Sequence, residues 1–204
     1  HLAGFGDLLQ SAVQAFGASI TDFDRDTILL QIHPEVTTRK MFFVGHSQGS
    51  FYTNSIYKYL TDSGAPAETL GVYNVATPAN YVAGGGRYIT SNYDSVIGLY
   101  ADYAKKSGAL APLPPNADLD FGAAIGNGHS FTDTYLAYAG ERMVQDIQQG
   151  FGALVATKGT ATDGCFTPPD KTLAYKTKQA IFAVADPAAV GVKVAAVEGF
   201  TGAV

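Results

Sequence analysis

A serine in a glycine-flanked turn is the first candidate for chemistry in this chain. Ser47 lies in the sequence GHSQG at positions 45–49, between the apolar run 41–44 and the helix-like segment 50–60. The pattern G-x-S-x-G between a strand and a helix is typical of a sharp turn, the nucleophile elbow, that exposes the serine hydroxyl. We expect both glycines to let strand and helix approach closely, because a side chain at either position would crowd the turn. The sequence therefore predicts that Ser47 is a nucleophile.

A serine hydroxyl is a weak nucleophile until a base takes its proton, and that base is most often a histidine. The chain has four histidines. His1 is terminal, His33 precedes the elbow strand, and His46 lies inside the turn with its backbone committed to it. Only His129 follows Ser47 along the chain, which is the order that such an elbow requires. His129 is therefore the predicted general base.

The carboxylate that orients this histidine is expected between Ser47 and His129, at the carboxyl end of a strand beyond the elbow strand. Asp94 directly follows the predicted strand 87–90 and is the preferred residue. The other acidic residues weighed in this interval are Asp62, Glu68, Asp102, Asp118 and Asp120. The first two follow the elbow helix at the wrong edge of the sheet, and the third falls in a predicted helix. The last two, in a long loop, remain the main alternatives.

The elements that must position these residues alternate between strand and helix. Strand, helix and strand within about forty residues form the βαβ unit of a mostly parallel sheet. Strand 41–44 is continuously apolar, which predicts a central strand covered on both faces. The predicted helices lie in 1–17, in 50–60, in 131–149 and from Asp22 or Asp24 to just before Pro34. The predicted strands are 41–44, 70–76 and 87–90, and residues 107–128 are predicted to form a long surface loop. We predict an α/β fold with helices on both faces of the sheet.

The chain changes character near residue 150. Residues 1–149 carry the candidate site and form the predicted catalytic core, whereas residues 150–204 alternate apolar runs with Gly, Thr and Pro. The apolar runs are 153–156, 181–185 and 192–197. We predict that 150–204 is a strand-rich extension of the same domain or a small subdomain.

Composition restricts the classes of function. The chain has 204 residues, 47% of them hydrophobic and 15% charged, as in a globular domain with a sizeable core. Its net charge of −5 and scattered basic residues argue against nucleic acid as a partner. No apolar run has the length of a membrane span. Cys165 is the single cysteine, and the histidines show no zinc-type spacing, so we predict neither an internal disulfide nor a metal or other cofactor.

The first residue is His1 rather than Met, which indicates a processed, trimmed or fragmentary N-terminus. We slightly favour a secreted or cell-envelope location over a cytoplasmic one. Oligomeric state is left open by the sequence.

With GHSQG, Asp94 and His129 in this order, the chain resembles the α/β-hydrolase superfamily, and within it the lipase class 3-like bacterial serine hydrolases. The resemblance covers roughly residues 1–145. The segments that carry it, besides GHSQG, are His1-Leu2-Ala3-Gly4-Phe5, Ala76-Thr77-Pro78, Asp94-Ser95-Val96, Gly128-His129 and Tyr135-Leu136.

The resemblance implies a serine hydrolase that cleaves small-molecule or lipid-like carboxylic esters through a Ser47–His129–Asp94 triad and an acyl-enzyme. The elbow implies that the backbone N–H of Gln48 is one donor of the oxyanion hole. The second donor should come from a loop after an earlier strand, but only about forty residues precede the elbow. We therefore expect a sheet that lacks its N-terminal strands, is completed by another chain, or is rearranged with C-terminal strands.

Two alternatives remain open at this point. The chain could be a non-catalytic α/β-hydrolase-fold module for binding or assembly, or a thioesterase or acyltransferase that shares the same triad. If it is an esterase, Tyr93, Tyr100 and Tyr103 are expected near an apolar acyl pocket.

Overall fold

A computed structural model of the chain describes residues 22–36, 39–120 and 128–156. Several expectations fall on residues outside these ranges. They are the helix in 1–17, the apolar runs 181–185 and 192–197, and the loop around Cys165.

In the described residues, three parallel strands form a sheet in the order β1-β2-β3. They are β1 (Met41–His46), β2 (Leu70–Val75) and β3 (Arg87–Ile89). The parallel sheet, with a crossover helix between β1 and β2, confirms an α/β fold. The prediction that the elbow strand is central is wrong for the described sheet, since β2 occupies the middle. Residues 41–44 are half-buried, and β2 is the one strand that pairs with β1 among the described residues.

Helices cover both faces of the sheet. They are α1 (Asp22–Val36), α2 (Gly49–Asp62), α3 (Ser95–Ser107) and α4 (Ala137–Ala156), the last preceded by a π-helical turn (Phe131–Leu136). Side chains alternate along β1, so Phe43 packs towards α1 and α2 while Val44 packs towards α4. None of the helices in the described ranges is long and apolar enough to cross a membrane.

Two predicted helix boundaries are wrong. Helix α1 does not stop before Pro34 but continues to Val36, which is buried in the same cluster as Leu29. Tertiary packing of this last turn outweighs the local preference against proline. Helix α4 continues through the run 153–156, which was predicted as a strand, so the expected boundary at residue 150 lies inside a helix.

The end of α4 is held by contacts with the sheet. Leu154 is buried, and its carbonyl oxygen accepts a hydrogen bond of 2.6 Å from Lys40 Nζ. This bond connects the last described turn of α4 to the residue that precedes β1.

The described part of the long loop, residues 108–120, runs back along the edge of the sheet beyond β3. The Asn116 N–H donates to the Thr90 carbonyl, and Ser91 forms an isolated parallel bridge with Ala117. Ala117 is buried in the core beside Val75 and Ile89. This segment is therefore partly a core element rather than a purely surface loop.

Candidate active site

Ser47 occupies a strained turn between β1 and α2. Its φ of 56° lies in the left-handed region, which is uncommon for a residue with a side chain. The Ser47 N–H donates a 2.9 Å hydrogen bond to the Val75 carbonyl, so the turn is tied to the central strand. Helix α2 begins two residues later, at Gly49, and directs its N-terminus towards this turn. The predicted elbow geometry is present.

The two glycines of the motif are not equivalent. A Cβ at Gly45 would lie 2.8 Å from the Gly49 carbonyl oxygen, so a side chain there would collide with the backbone of the turn. A Cβ at Gly49 would meet no atom within 4 Å. The prediction that both positions require glycine for close approach is therefore confirmed for Gly45 and wrong for Gly49.

His129 lies between the serine and a carboxylate. Its Nε2 atom is 2.8 Å from Ser47 Oγ, and its Nδ1 atom is 2.9 Å from Asp94 Oδ2 and 3.0 Å from Asp94 Oδ1. An ionised carboxylate can only accept, so Nδ1 carries the hydrogen and Nε2 of the neutral ring accepts from the serine hydroxyl. The structure thus brings together the three residues that the sequence selected.

Asp94 is buried, with 2% of its surface exposed, and it has a second function as the N-cap of α3. Its Oδ1 atom accepts the backbone N–H groups of Val96 and Ile97, each at 3.1 Å. These bonds and the positive end of the helix dipole stabilise the negative charge of the carboxylate and fix its orientation.

Tyr135 completes the set of donors to this carboxylate. Its hydroxyl donates to Asp94 Oδ2 at 2.8 Å and accepts the Ser91 N–H at 3.0 Å. The side chain is fully buried, and burial first, then the Asp94 charge, raises the pKa of Tyr135 well above its ordinary value. The phenol therefore remains a donor throughout the pH range in which a histidine base would work.

A wide helical turn brings Tyr135 to this position. The Tyr135 N–H reaches back five residues to the Ser130 carbonyl, and the Ser130 hydroxyl caps the turn by accepting the Asp133 N–H. Short π-helical turns occur frequently at functional sites. The predicted helix 131–149 did not anticipate this irregular first turn, because its residues are compatible with an ordinary α-helix.

His46, which its place in the turn excludes as the base, also lies in the site. Its Nε2 atom lies 2.9 Å from the His129 carbonyl oxygen, and its ring packs against the His129 ring at a centroid distance of 5.1 Å. The sequence excludes His46 as the base because its backbone belongs to the turn, but this leaves its side chain available for other contacts. The available signal was position, because a side chain at the carboxyl end of β1 lies where the segment carrying His129 must arrive.

Two of the other carboxylates considered for the triad have partners away from His129. Asp118 is exposed and accepts from the Asn92 amide at 2.9 Å, and Asp62 is paired with Lys58. Asp120 lies exposed in the same loop as Asp118. The alternatives left open by the sequence are therefore not required to explain the orientation of His129.

Gln48 is the N-cap residue of α2, with helical backbone angles. Its N–H as an oxyanion donor stays a prediction. No strand earlier than β1 belongs to the sheet in the described residues, so a second donor from such a strand also stays a prediction.

The tyrosines proposed for an acyl pocket differ in exposure. Tyr100 is buried in a small cluster with Val96 and Phe51, where the first turns of α2 and α3 meet. Tyr93 and Tyr103 are both about half exposed. Tyr100 therefore packs between α2 and α3, while the acyl pocket stays a prediction.

Within the described ranges, no group of three or more His, Cys, Asp or Glu side chains could hold a metal ion. Comparison of the chain with protein-family models, with curated proteins and with solved structures found no match. Conclusions about function therefore rest on the geometry of the site itself.

Proposed function

We propose that this chain is a serine hydrolase with an α/β-hydrolase-like fold, and that it cleaves carboxylic esters. The observation that carries the proposal is the hydrogen-bonded series from Ser47 Oγ to His129 Nε2 and from His129 Nδ1 to Asp94. Its first member lies on a strained turn between a parallel strand and a helix. Serine nucleophiles activated by a histidine and a buried carboxylate are typical of acyl transfer.

In this mechanism Ser47 Oγ attacks the acyl carbon while His129 Nε2 takes the serine proton. Asp94 keeps the proton-bearing Nδ1 in place and stabilises the imidazolium that forms. His129 then gives the proton to the leaving alcohol, which produces an acyl-enzyme on Ser47. A water molecule, deprotonated by the same Nε2 atom, attacks the acyl-enzyme. The bond between the acyl carbon and Ser47 Oγ then breaks, and His129 gives the proton back to Ser47 Oγ as the acid is released.

The negative charge on the attacked oxygen must be stabilised at the N-terminal end of α2. We assign the backbone N–H of Gln48 to this role, since it is the residue after the nucleophile. Loss of one such donor typically costs a factor on the order of a hundred to a thousand in rate. Turnover by this chain is therefore expected to depend strongly on whether a second donor is supplied.

The proposal is tested by hydrolysis of nitrophenyl esters with short and long acyl chains, using the full chain and its Ser47→Ala variant. We expect a burst of nitrophenol equal to the concentration of active protein, followed by slower turnover, and no burst in Ser47→Ala. Equal rates in the two proteins would contradict the proposal.

A thioesterase or an acyltransferase would use the same three residues. In those cases the acyl-enzyme is formed from a thioester or is consumed by an alcohol or thiol rather than by water. A thioesterase would show a higher kcat/KM for a thioester than for an ester with the same acyl group. An acyltransferase would transfer the acyl group to an added primary alcohol, and the new ester would be found among the products.

A non-catalytic module is the second class of function. A binding module would not need His129 to hydrogen-bond both Ser47 and the buried Asp94, and no contact among the described residues favours such a module. If the chain is a binding module, none of these substrates will be turned over.

A further inference from the structure

His46 contacts the segment that carries the base, although the mechanism above gives it no part. Its Nε2 atom lies 2.9 Å from the carbonyl oxygen of His129. A carbonyl oxygen can only accept, so His46 Nε2 carries a hydrogen and donates it. The His46 ring also lies 5.1 Å from the His129 ring and 5.5 Å from the Phe131 ring, between centroids. The His46 side chain therefore contacts both the main chain and the ring of His129.

We propose that His46 is a positioning residue, which sets the approach of His129 to Ser47 by holding the His129 main chain through its Nε2–H group. The inference rests on the proposed function. His46 is the last residue of β1 and directly precedes Ser47, and it is paired with Val75 in the parallel ladder. One strand end thus carries both the nucleophile and the anchor of its base.

The base lies outside any regular element, so the position of its main chain is not fixed by a helix or a strand. His129 follows Gly128, whose φ is 68°, and the π-helical turn begins only at Phe131. Backbone hydrogen bonds of the turn reach back to the Ser130 carbonyl, one residue after His129. The bond from His46 links the His129 carbonyl directly to the elbow. A displacement of about 1 Å at a reacting group can cost about a hundredfold in rate, so this link bears on catalysis.

The charge state of His46 suits this role. Burial lowers the pKa of His46, and the neighbouring His129 lowers it further, against the opposing effects of the bond to the His129 carbonyl and of the Asp94 charge. A neutral His46 keeps its Nε2–H donor without placing a second positive charge beside His129. The imidazolium formed during acyl transfer would be destabilised by such a charge.

Two substitutions separate the hydrogen bond from the ring packing. His46→Phe keeps a planar ring but removes the donor, whereas His46→Gln keeps an N–H donor at a similar distance from the backbone. We expect His46→Phe to lower kcat by roughly tenfold to a hundredfold with KM changed less than about twofold. His46→Gln should recover kcat to within a few-fold of the unaltered protein. Thermal melting of all three proteins checks that each is folded.

A second readout does not depend on turnover. In the protein labelled with ¹⁵N-histidine, the Nδ1–H resonance of His129 reports its hydrogen bond to Asp94. We expect His46→Phe to shift this resonance and His46→Gln to leave it close to its original position. An unshifted resonance and unchanged kcat in His46→Phe would overturn the inference, and so would equal defects in both folded variants.

Failure of the proposed function has a different signature. If the unaltered protein hydrolyses no ester, the proposed function fails, and the NMR comparison alone decides whether His46 positions His129.

Discussion

Two neighbouring strands of this protein end in the same unusual backbone conformation, yet only one of them ends in a candidate site. Ser47 follows β1 with a φ of 56°, and Ala76 follows β2 with a φ of 49°. Each is tied to the next strand through its N–H group, Ser47 to the Val75 carbonyl and Ala76 to the Ile89 carbonyl. Left-handed residues that are not glycine cost on the order of 1–3 kcal/mol, so both turns are maintained by the surrounding structure.

The difference between the two strand ends lies in what surrounds the side chain. Ser47 is partly exposed and faces His129, which is oriented by the buried Asp94. Ala76 is fully buried in the core and presents a methyl group. Strain in a strand-end turn is thus insufficient to indicate a nucleophile. The base and its carboxylate distinguish the first turn from the second.

Exchanging the side chains at the two strand ends should have the largest effect. We expect Ser47→Ala to lower kcat by a factor on the order of 10⁴ to 10⁶, because the nucleophile is lost. Adding Ala76→Ser to this variant should restore nothing, since position 76 is fully buried in the core and the His129 Nε2 atom is directed at position 47. Ester turnover of the two variants measures this. Recovery in the double variant would show that turn geometry alone selects the nucleophile.

The next largest effect is expected at the carboxylate. Asp94→Asn should lower kcat by a factor on the order of 10⁴, because an amide at this position no longer fixes the proton on Nδ1 of His129. Asp118→Asn is the matched control, since Asp118 is exposed and bonded to Asn92. It should leave kcat within about twofold. A greater loss in Asp118→Asn than in Asp94→Asn would reverse the assignment of the carboxylate.

Two buried tyrosines allow a similar comparison. Tyr135 donates to Asp94, whereas Tyr73 donates to Asp146 at 3.3 Å, away from the site. Each Tyr→Phe change should cost about 1–3 kcal/mol of unfolding free energy, because a hydrogen-bonded buried hydroxyl is lost. Only Tyr135→Phe should also lower kcat, by roughly tenfold, as Asp94 loses a positioning bond. Denaturant unfolding measures the loss of stability in each variant, and ester turnover measures the loss of kcat. Equal kcat values in the two variants would assign Tyr135 a purely structural role.

The smallest effect concerns the strain at the two turns. Ser47→Gly should be more stable than Ser47→Ala by about 1 kcal/mol, because glycine adopts a positive φ without steric cost. Ala76→Gly should change stability by less than about 1 kcal/mol, since relief of strain is offset by loss of a buried methyl group. Unfolding in urea measures both differences. A Ser47→Gly variant less stable than Ser47→Ala would mean that the elbow is not strained.

The sequence predicted the parts of this site that depend on chain order and local pattern. Ser47, Asp94 and His129 were selected because each lies at a predicted strand end or before a helix, in a fixed order. His46 and Tyr135 were given no role, although their contacts span 83 and 41 positions and the predicted Ser47–His129 contact spans 82. The nucleophile and its base belong to a motif with a fixed chain order, whereas His46 and Tyr135 belong to no such motif, and only the packing of the chain brings them to the site.

The errors in the fold have the same origin. Pro34 was expected to end α1, and the run 153–156 was expected to form a strand, since only local preferences were considered. Burial of Val36 in one case and of Leu154 in the other overrides those preferences.

Covalent labelling of the full chain with a fluorophosphonate, followed by peptide mass spectrometry, tests directly whether Ser47 is a nucleophile activated by His129. We expect a single phosphonylated residue, Ser47, and much slower labelling in the folded His129→Ala variant. An unlabelled Ser47 in the folded protein, or labelling at the same rate without His129, would contradict the claim that His129 activates Ser47.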